Sequence, residues 1–392
     1  MSESIVIVGA KRTPIGSMQG KFNNMSASQL GSVAIKSALE QAGVKGTEVD
    51  DLIFGCVLSA GQGQAPARQA ALGAGMDKST PTTTVNKMCG SAMKAAMMAS
   101  DELQAGNATI VVAGGMESMT NAPHLLPKAR GGYRYGHQKV LDHMAFDGLE
   151  NAYDGKPMGV FADATAAKYG FTREQMDAYS KTSTERALAA VKSGAFTDEI
   201  APVTVEGRKG SEVVKDDETP FNVNVEKIAT LRPAFNKDGT VTAATSSSIS
   251  DGAAALVMMT ESEAKKRGAK PLARIVAHAS NAHEPEWFTT APVGAIKKVL
   301  DKAGWKTSDV DLFEVNEAFA VVTMAAMKDI GIPHERVNVN GGACALGHPI
   351  GATGARILTT LLHALIKRGK TRGVAALCIG GGEATAIAVE IA

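Results

Sequence analysis

The stretch Val85-Asn86-Lys87-Met88-Cys89-Gly90-Ser91 decides how this chain is read. The residues after it, Ala92 to Ala105 (AMKAAMMASDELQA), are strong helix formers with neither Gly nor Pro among them. Gly106 then supplies a stop. Asn86, Gly90 and Ser91 are turn and capping residues set just before the run. Cys89 is therefore expected at a helix N-terminus. The positive end of the dipole favours a thiolate there, which lowers the thiol pKa from its free value of roughly 8.5. The competing reading is a small buried Cys at a helix entry, the usual state of a free cysteine. The surrounding chain has to decide between them.

Outward from this stretch, strand and helix alternate. Ser4 to Gly9 reads as a strand, and Ser26-Ala27-Ser28-Gln29 has capping-box form before a helix that runs to Ala42 and stops at Gly43. Val49 to Leu58 reads as a strand, Pro66 to Ala74 as a helix and Thr82 to Val85 as a short strand. Ala108 to Ala113 is a buried strand that ends in Gly114-Gly115-Met116-Glu117-Ser118. This order predicts an α/β protein with a mostly parallel sheet and helices on both faces. The order then recurs. Ala34-Ile35-Lys36 matches Ala295-Ile296-Lys297, and Val49-Asp50 matches Val310-Asp311, both at an offset of 295 − 34 = 261. Val374 to Ile379, followed by Gly380-Gly381-Gly382, mirrors the Ala108 strand and its glycines. The chain thus reads as an internal duplication. Residues 1–118 form one half, with 247–270 completing it, and 271–392 form the other. Residues 119–246 break the pattern and read as an inserted loop or lid domain.

Composition narrows the function. With 392 residues, 44% hydrophobic content and a formal net charge of +1, the chain has a sizeable core and no electrostatic case for nucleic acid. No apolar run reaches the roughly 18 residues that span a bilayer. The first residues enter a strand directly, with no basic and apolar leader, so a cytoplasmic location is expected. Cys56, Cys89, Cys344 and Cys378 form neither a disulfide framework nor CxxC pairs, and no metal site is expected.

The offset also bears on Cys89. Adding 261 gives 350, next to His348 in the Gly-rich loop Gly341 to Gly351. Two halves packed about a pseudo-twofold axis would bring a His-bearing loop to a Cys-bearing one, and a neutral His beside a Cys activates a thiol. The other seven histidines read as ordinary turn, surface or core residues. Asn316 follows the strand Leu312 to Val315, at the carboxyl end where such sheets bind ligands. Cys378 precedes three glycines whose bare N–H groups suit an oxyanion.

These motifs make the chain resemble the thiolases over essentially its full length. The carriers are VNKMCGS at Cys89, GGMESM at Gly114, NEAF at Asn316, GGACALGHPIGATGAR at Gly341 and CIGGG at Cys378. The resemblance is greatest to the acetoacetyl-CoA class. It implies two βαβαβαββ halves packed in layers with an inserted loop domain, a homotetramer, a place in fatty acid and lipid metabolism, and coenzyme A thioesters as substrates with no bound cofactor. It also implies roles. Cys89 holds the acyl group and His348 takes its proton. Cys378 exchanges a proton with the methyl group of the second thioester. His348 and a water held by Asn316 stabilise the enolate, and the N–H groups of Cys89 and Gly380 hold the tetrahedral oxyanion. Leu149, Met158, Phe235, Ser247, Phe288, Ala318 and Phe319 would line the substrate site.

Some positions depart from the family. The His-Met-Gly of acetoacetyl-specific members is here Pro157-Met158-Gly159. In the loop Thr242 to Gly252, Ser247 is kept while the Gly and Asn before it are not. Phe288 stands where bacterial biosynthetic members have Met, as in the mitochondrial type that accepts a 2-methyl branch. The departure at Pro157 leaves a longer-chain degradative 3-ketoacyl-CoA thiolase as the alternative. A decarboxylating ketosynthase would not need Cys378, and a thiolase-like lipid-binding protein would lack the nucleophile.

Overall fold

The computed structural model describes residues 3–207 and 210–392. The first half of the frame contains β1 (Ile5–Arg12), α1 (Ala27–Ala42), β2 (Asp51–Gly55), α2 (Pro66–Gly73), β3 (Thr82–Val85), α3 (Ser91–Gln104) and β4 (Ile110–Ser118). Helices α4 (Met158–Tyr169) and α5 (Arg173–Ser193) stand in the middle of the chain. After them come β5 (Ser250–Thr260), β6 (Ala273–Ala282), α6 (Ala291–Ala303), β7 (Leu312–Val315) and α7 (Ala320–Ile330). The one-turn helix α8 (Ala343–Leu346), α9 (Thr353–Lys367), β8 (Arg372–Ile379) and β9 (Glu383–Ile391) complete the chain.

Local chemistry sets these boundaries. Ser26 and Gln29 form a reciprocal capping box at the start of α1, with Gln29 N donating to Ser26 Oγ (3.2 Å) and Ser26 N to Gln29 Oε1 (2.8 Å). Gly43 and Gly304 end α1 and α6 in the left-handed region. Asp50 Oδ2 accepts from the N–H groups of Thr109 and Ile110, and Asp311 Oδ2 from those of Thr371 and Arg372. The same aspartate clamp thus recurs at the offset of 261.

One sheet runs in the order β7-β8-β9-β6-β1-β5-β4-β2-β3. Its character differs from the expected mostly parallel sheet. Among the described residues of this sheet only β2–β3, β2–β4 and β7–β8 are parallel strand pairs, and the central pairs are antiparallel. The reason lies in the connections. Parallel pairing needs a crossover long enough for a helix, as α2 and α3 provide between β2, β3 and β4. The turn Gly380–Gly382 between β8 and β9 is too short for that and returns the chain antiparallel. β5 arrives from the middle region and fills the place between β1 and β4.

The halves meet where Ile5 pairs with Ile275. Helices α3 and α9 lie between their inward faces, in one core with Ile53, Val111 and Leu256 of the first half and Leu377, Ile387 and Val389 of the second. A Cβ on Gly354 would stand 2.3 Å from Met93 N. Since 354 − 93 = 261, equivalent positions touch at the local twofold axis. α1 and α2 cover the outer face of one half, and α6 covers that of the other. Buried Arg12 ties β1 to the middle region, pairing with Glu199 (2.6 Å) and with both oxygens of Asp217 (2.7 and 2.9 Å). Among the described residues no helix is long and apolar enough to cross a membrane.

Candidate active site

Between β3 and α3 the chain makes a tight elbow. Met88 takes φ +47°, a left-handed conformation that a long side chain seldom adopts. Neighbouring side chains hold it there. Asn86 Oδ1 accepts from Met88 N (3.0 Å), while Ser91 Oγ accepts from Lys87 N (2.9 Å) and donates to Met88 O (2.6 Å). Asn86 and Ser91 therefore brace the turn rather than cap the helix, whose N-cap is Gly90 with no side-chain bond. The elbow leaves Cys89 half-buried, directly before the first turn of α3. A side chain at Gly90 would strike Ile379 at 2.4 Å, so glycine allows the elbow to sit on the end of β8. An ion pair from Lys87 to Glu383 fastens it to the start of β9.

The expected thiolate does not form at rest. Burial pushes the Cys89 thiol up to about 11, against the N–H groups of Gly380 and of Cys89 itself, which pull it down. A helix terminus supplies about 0.3–1 kcal/mol, less than one pKa unit, so desolvation wins. Cys378 is fully buried and is also raised, first by burial and then by the neighbouring Cys89. The two thiols are neighbours, and both are protonated.

The second half contributes Asn316 and His348. Val315 pairs with Ala376, so Asn316 leaves β7 beside β8, the strand that carries Cys378 next to its last residue. Asn316 is buried, and its Oδ1 accepts from Arg356 Nη2 at 3.4 Å. A guanidinium has only donors, so it fixes the amide with Nδ2 turned away, and Nδ2 has no partner among the described residues. His348 is buried, with Nδ1 2.6 Å from Thr353 Oγ1 and Nε2 without a partner among the described residues. Burial, then the charge of Arg356, lowers its pKa to about 3, so the imidazole is neutral.

Glu117, at the end of β4, draws the two halves together. Its carboxylate accepts from Val57 N (3.0 Å), Leu58 N (3.1 Å) and, in the His348 loop, Gly351 N (2.9 Å). Burial raises its pKa to about 7 in spite of those N–H groups. Ile350 then packs in one apolar cluster with Met88, Cys89 and Leu149, which sets the His348 loop against the Cys89 elbow.

The remaining residues singled out from the sequence surround these groups. Phe288, Ala318, Phe319 and Cys378 share one apolar cluster, with Met158 packed against it. A Cβ on Gly380 would lie 3.8 Å from Met158 Sδ. Phe319 meets Phe288 and Phe235 edge to face. Ser247 donates from both N and Oγ to Ala318 O (3.0 Å each). Pro157 serves as the N-cap of α4, a position its fixed φ suits. Every candidate residue thus lies in one region, built around the carboxyl ends of β3, β7 and β8. Other histidines have partners elsewhere: His143 with Asp147, His278 with Asp101 and His363 with Ala10 O.

The motifs alone did not single out Glu117, Asn338, Arg356 or Thr353. Asn338 closes the outer edge of β7. Its Oδ1 accepts from Val315 N (2.9 Å), and its Nδ2 donates to Val315 O (2.8 Å) and to Glu317 Oε1 (2.8 Å). A readable signal existed for the acids: a carboxylate inside an apolar run, as in IVVAGGMES and LFEVNEAF, must find donors once buried.

This arrangement is a half-buried thiol with a second thiol, a neutral imidazole and an amide held nearby. Residues 5–262 match the family model of the thiolase N-terminal domain, and residues 269–391 that of the thiolase C-terminal domain. The chain belongs to the thiolase family. Among its relatives, the acetyl-CoA acetyltransferase of Chromobacterium violaceum is 49% identical over 98% of this chain and 99% of its own length. Acetyl-CoA acetyltransferase 2 of Arabidopsis thaliana is 50% identical over 99% of this chain and 97% of its own. The crystal structure of the Bacillus anthracis acetyl-CoA acetyltransferase superposes with a TM-score of 0.97 at 39% identity, covering 100% of this chain and 99% of that one.

Proposed function

We propose that this thiolase is an acyltransferase that joins two acetyl-CoA molecules into acetoacetyl-CoA and CoA, and runs the same reaction in reverse. The observation that carries the reading is the Cys89 elbow seated on the end of β8, with Gly90 against Ile379, the Cys378 thiol as the neighbour of Cys89, and the N–H groups of Cys89 and Gly380 favouring its ionised form. A carbonyl attacked by that sulfur develops its negative oxygen where those donors point. In the first half-reaction His348 Nε2 takes the Cys89 proton, the thiolate attacks the thioester carbonyl, and CoA leaves as a thiol after receiving the proton. The acetyl group remains on Cys89. In the second, Cys378 passes its own proton to His348 Nε2, and the thiolate so formed removes a proton from the methyl group of another acetyl-CoA. The resulting enolate, held by the His348 Nε2–H and by a water on Asn316, attacks the acetyl group and expels Cys89, which takes the proton back from His348 and ends as a thiol. A thiol whose pKa is raised by burial is the stronger base once ionised, which suits removal of a carbon-bound proton.

A short acyl chain is favoured by Met158, Phe288 and Phe319, which close the space beside Cys378. Residues 119–246 act in this reading as the loop domain that helps to hold coenzyme A, with Leu149, Met158 and Phe235, while Ser247 faces its pantetheine arm. A cytoplasmic homotetramer in fatty acid metabolism completes the proposal. Two surfaces support assembly: β3 ends the sheet with one side unpaired, and the segment near Leu126, Tyr135 and Val140 exposes large apolar side chains.

The test is thiolysis. Purified protein with acetoacetyl-CoA and CoA should consume the magnesium-enolate absorbance of the 3-oxothioester. Turnover of longer 3-oxoacyl-CoAs alone would favour the degradative reading instead. Cys89→Ala should lose the acyl-enzyme detected by mass spectrometry, and at least about 10⁴-fold of the activity.

A further inference from the structure

A neutral imidazole exists in two tautomers, and only one of them leaves Nε2 able to accept a proton. The surroundings of His348 distinguish the two. Its Nδ1 lies 2.6 Å from Thr353 Oγ1, and its buried Nε2 has no partner among the described residues. Thr353 Oγ1 lies 2.8 Å from Pro349 O, an atom that can only accept. A hydroxyl has one proton. Once that proton is directed at Pro349 O, Oγ1 has only lone pairs to offer, so Nδ1 carries the hydrogen. The opposite polarity would leave Nε2–H as a buried donor without an acceptor, a rarer and costlier state than an under-used lone pair.

We propose that Thr353, the first residue of α9, is a positioning residue that fixes His348 as the Nδ1–H tautomer and so keeps Nε2 free to take the proton of Cys89. This rests on the roles of Cys89 and His348 proposed above. Thr353 acts through His348 and need not touch the substrate. It stands in the first turn of α9, the helix that faces α3 across the local twofold axis, so the turn that opens α9 sets the polarity of the base. The neighbouring Arg356 adds to the same outcome, because its charge opposes a second proton on the ring.

The experiment reads the tautomer directly. Nitrogen-15 spectra of histidine-labelled resting protein, with His348 assigned by its loss in His348→Ala, should show a protonated Nδ1 and an unprotonated Nε2 in the wild type and in Thr353→Ser. Thr353→Val keeps the shape and removes the hydroxyl, and should shift the ring toward a mixture of tautomers. Acyl-enzyme formation from acetyl-CoA should then slow on the order of 10²-fold in Thr353→Val with KM nearly unchanged, and Ser should restore it. A protonated Nε2 in the wild type overturns the proposal, as does a valine variant with unaltered tautomer and rate. If the valine variant does not fold, the wild-type and serine spectra still decide, because an Nε2–H form in either is disqualifying. Absence of acyl-enzyme in the wild type would refute the proposed function while leaving the tautomer measurement intact.

Discussion

The two long inner helices, α3 and α9, occupy equivalent places and begin in opposite ways. Before α3 the chain needs only residues 86–90, bent through a left-handed Met88, and presents a half-buried thiol. Before α9 it runs through residues 338–352, adds the extra turn α8, and presents a buried imidazole held by Thr353. The frame around them keeps common marks. The Asp50 and Asp311 clamps, the Gly43 and Gly304 caps and the Met93–Gly354 contact keep the same offset. Duplication therefore sets where the two loops meet, and their unequal length lets one present a thiol and the other an imidazole, the proposed nucleophile and its base. A strained short turn holds sulfur close to the N–H donors. A long loop can cross to the other half.

The largest expected effect separates the two sides of this comparison chemically. Cys378→Ala should leave acetyl transfer onto Cys89 intact and lower condensation by roughly 10²–10⁴-fold, the usual worth of a general base. Condensation at the wild-type rate in that variant would rule out a two-thiol mechanism. Next in size is a strike at the frame of the second half. Asn338→Leu leaves the N–H of Val315 without its partner and its C=O with Thr323 Oγ1 (3.2 Å) instead of two donors, and should lower unfolding free energy by about 2 kcal/mol in denaturant titration. Thr83→Ala, on the exposed strand of the first half, should change it by under about 0.5 kcal/mol.

A third measurement probes Glu117, which joins the halves. Its pKa is raised from 4.5 to about 7, so between those values the folded protein holds a proton that the unfolded chain has released. The stability from this group is present below about pH 4.5 and lost as pH rises through 7. Glu117→Gln should flatten that part of the stability profile, and an unchanged slope would mean that the carboxyl titrates normally. The smallest effect belongs to Lys87→Met. The half-exposed pair with Glu383 should contribute no more than about 1 kcal/mol to stability, read by thermal melting.

Much of this was legible in the sequence, and the reasons are physical. The capping box at Ser26, the glycine stops at Gly43 and Gly304 and the repeated Val-Asp leave local signatures, so the duplication could be read. The placement of Cys89, Asn316, His348 and Cys378 could be read because they sit where strands end or helices begin. The antiparallel centre was not legible, because the partner of β1 comes from residues about 250 positions away (Ile5 with Thr260). Nor was the protonation of Cys89. A helix N-terminus shows in the sequence, whereas the desolvation that overrides it depends on packing from β8, β9 and the His348 loop. Glu117, Thr353 and Asn338 act through partners remote in sequence or through side-chain geometry that spacing does not encode.

Asn338 has one more consequence, which concerns reach. On the first half, the edge of β2 is closed by a whole strand, β3, whose residues cannot go anywhere else. On the second half, one amide satisfies both backbone groups of Val315. Residues 339–352 are thereby released from the sheet, and fourteen residues can extend roughly 50 Å, against about 17 Å for the five before α3. That spare length is what allows the chain to leave its own half, deliver Gly351 to Glu117 across the molecule, and still return in time to begin α9.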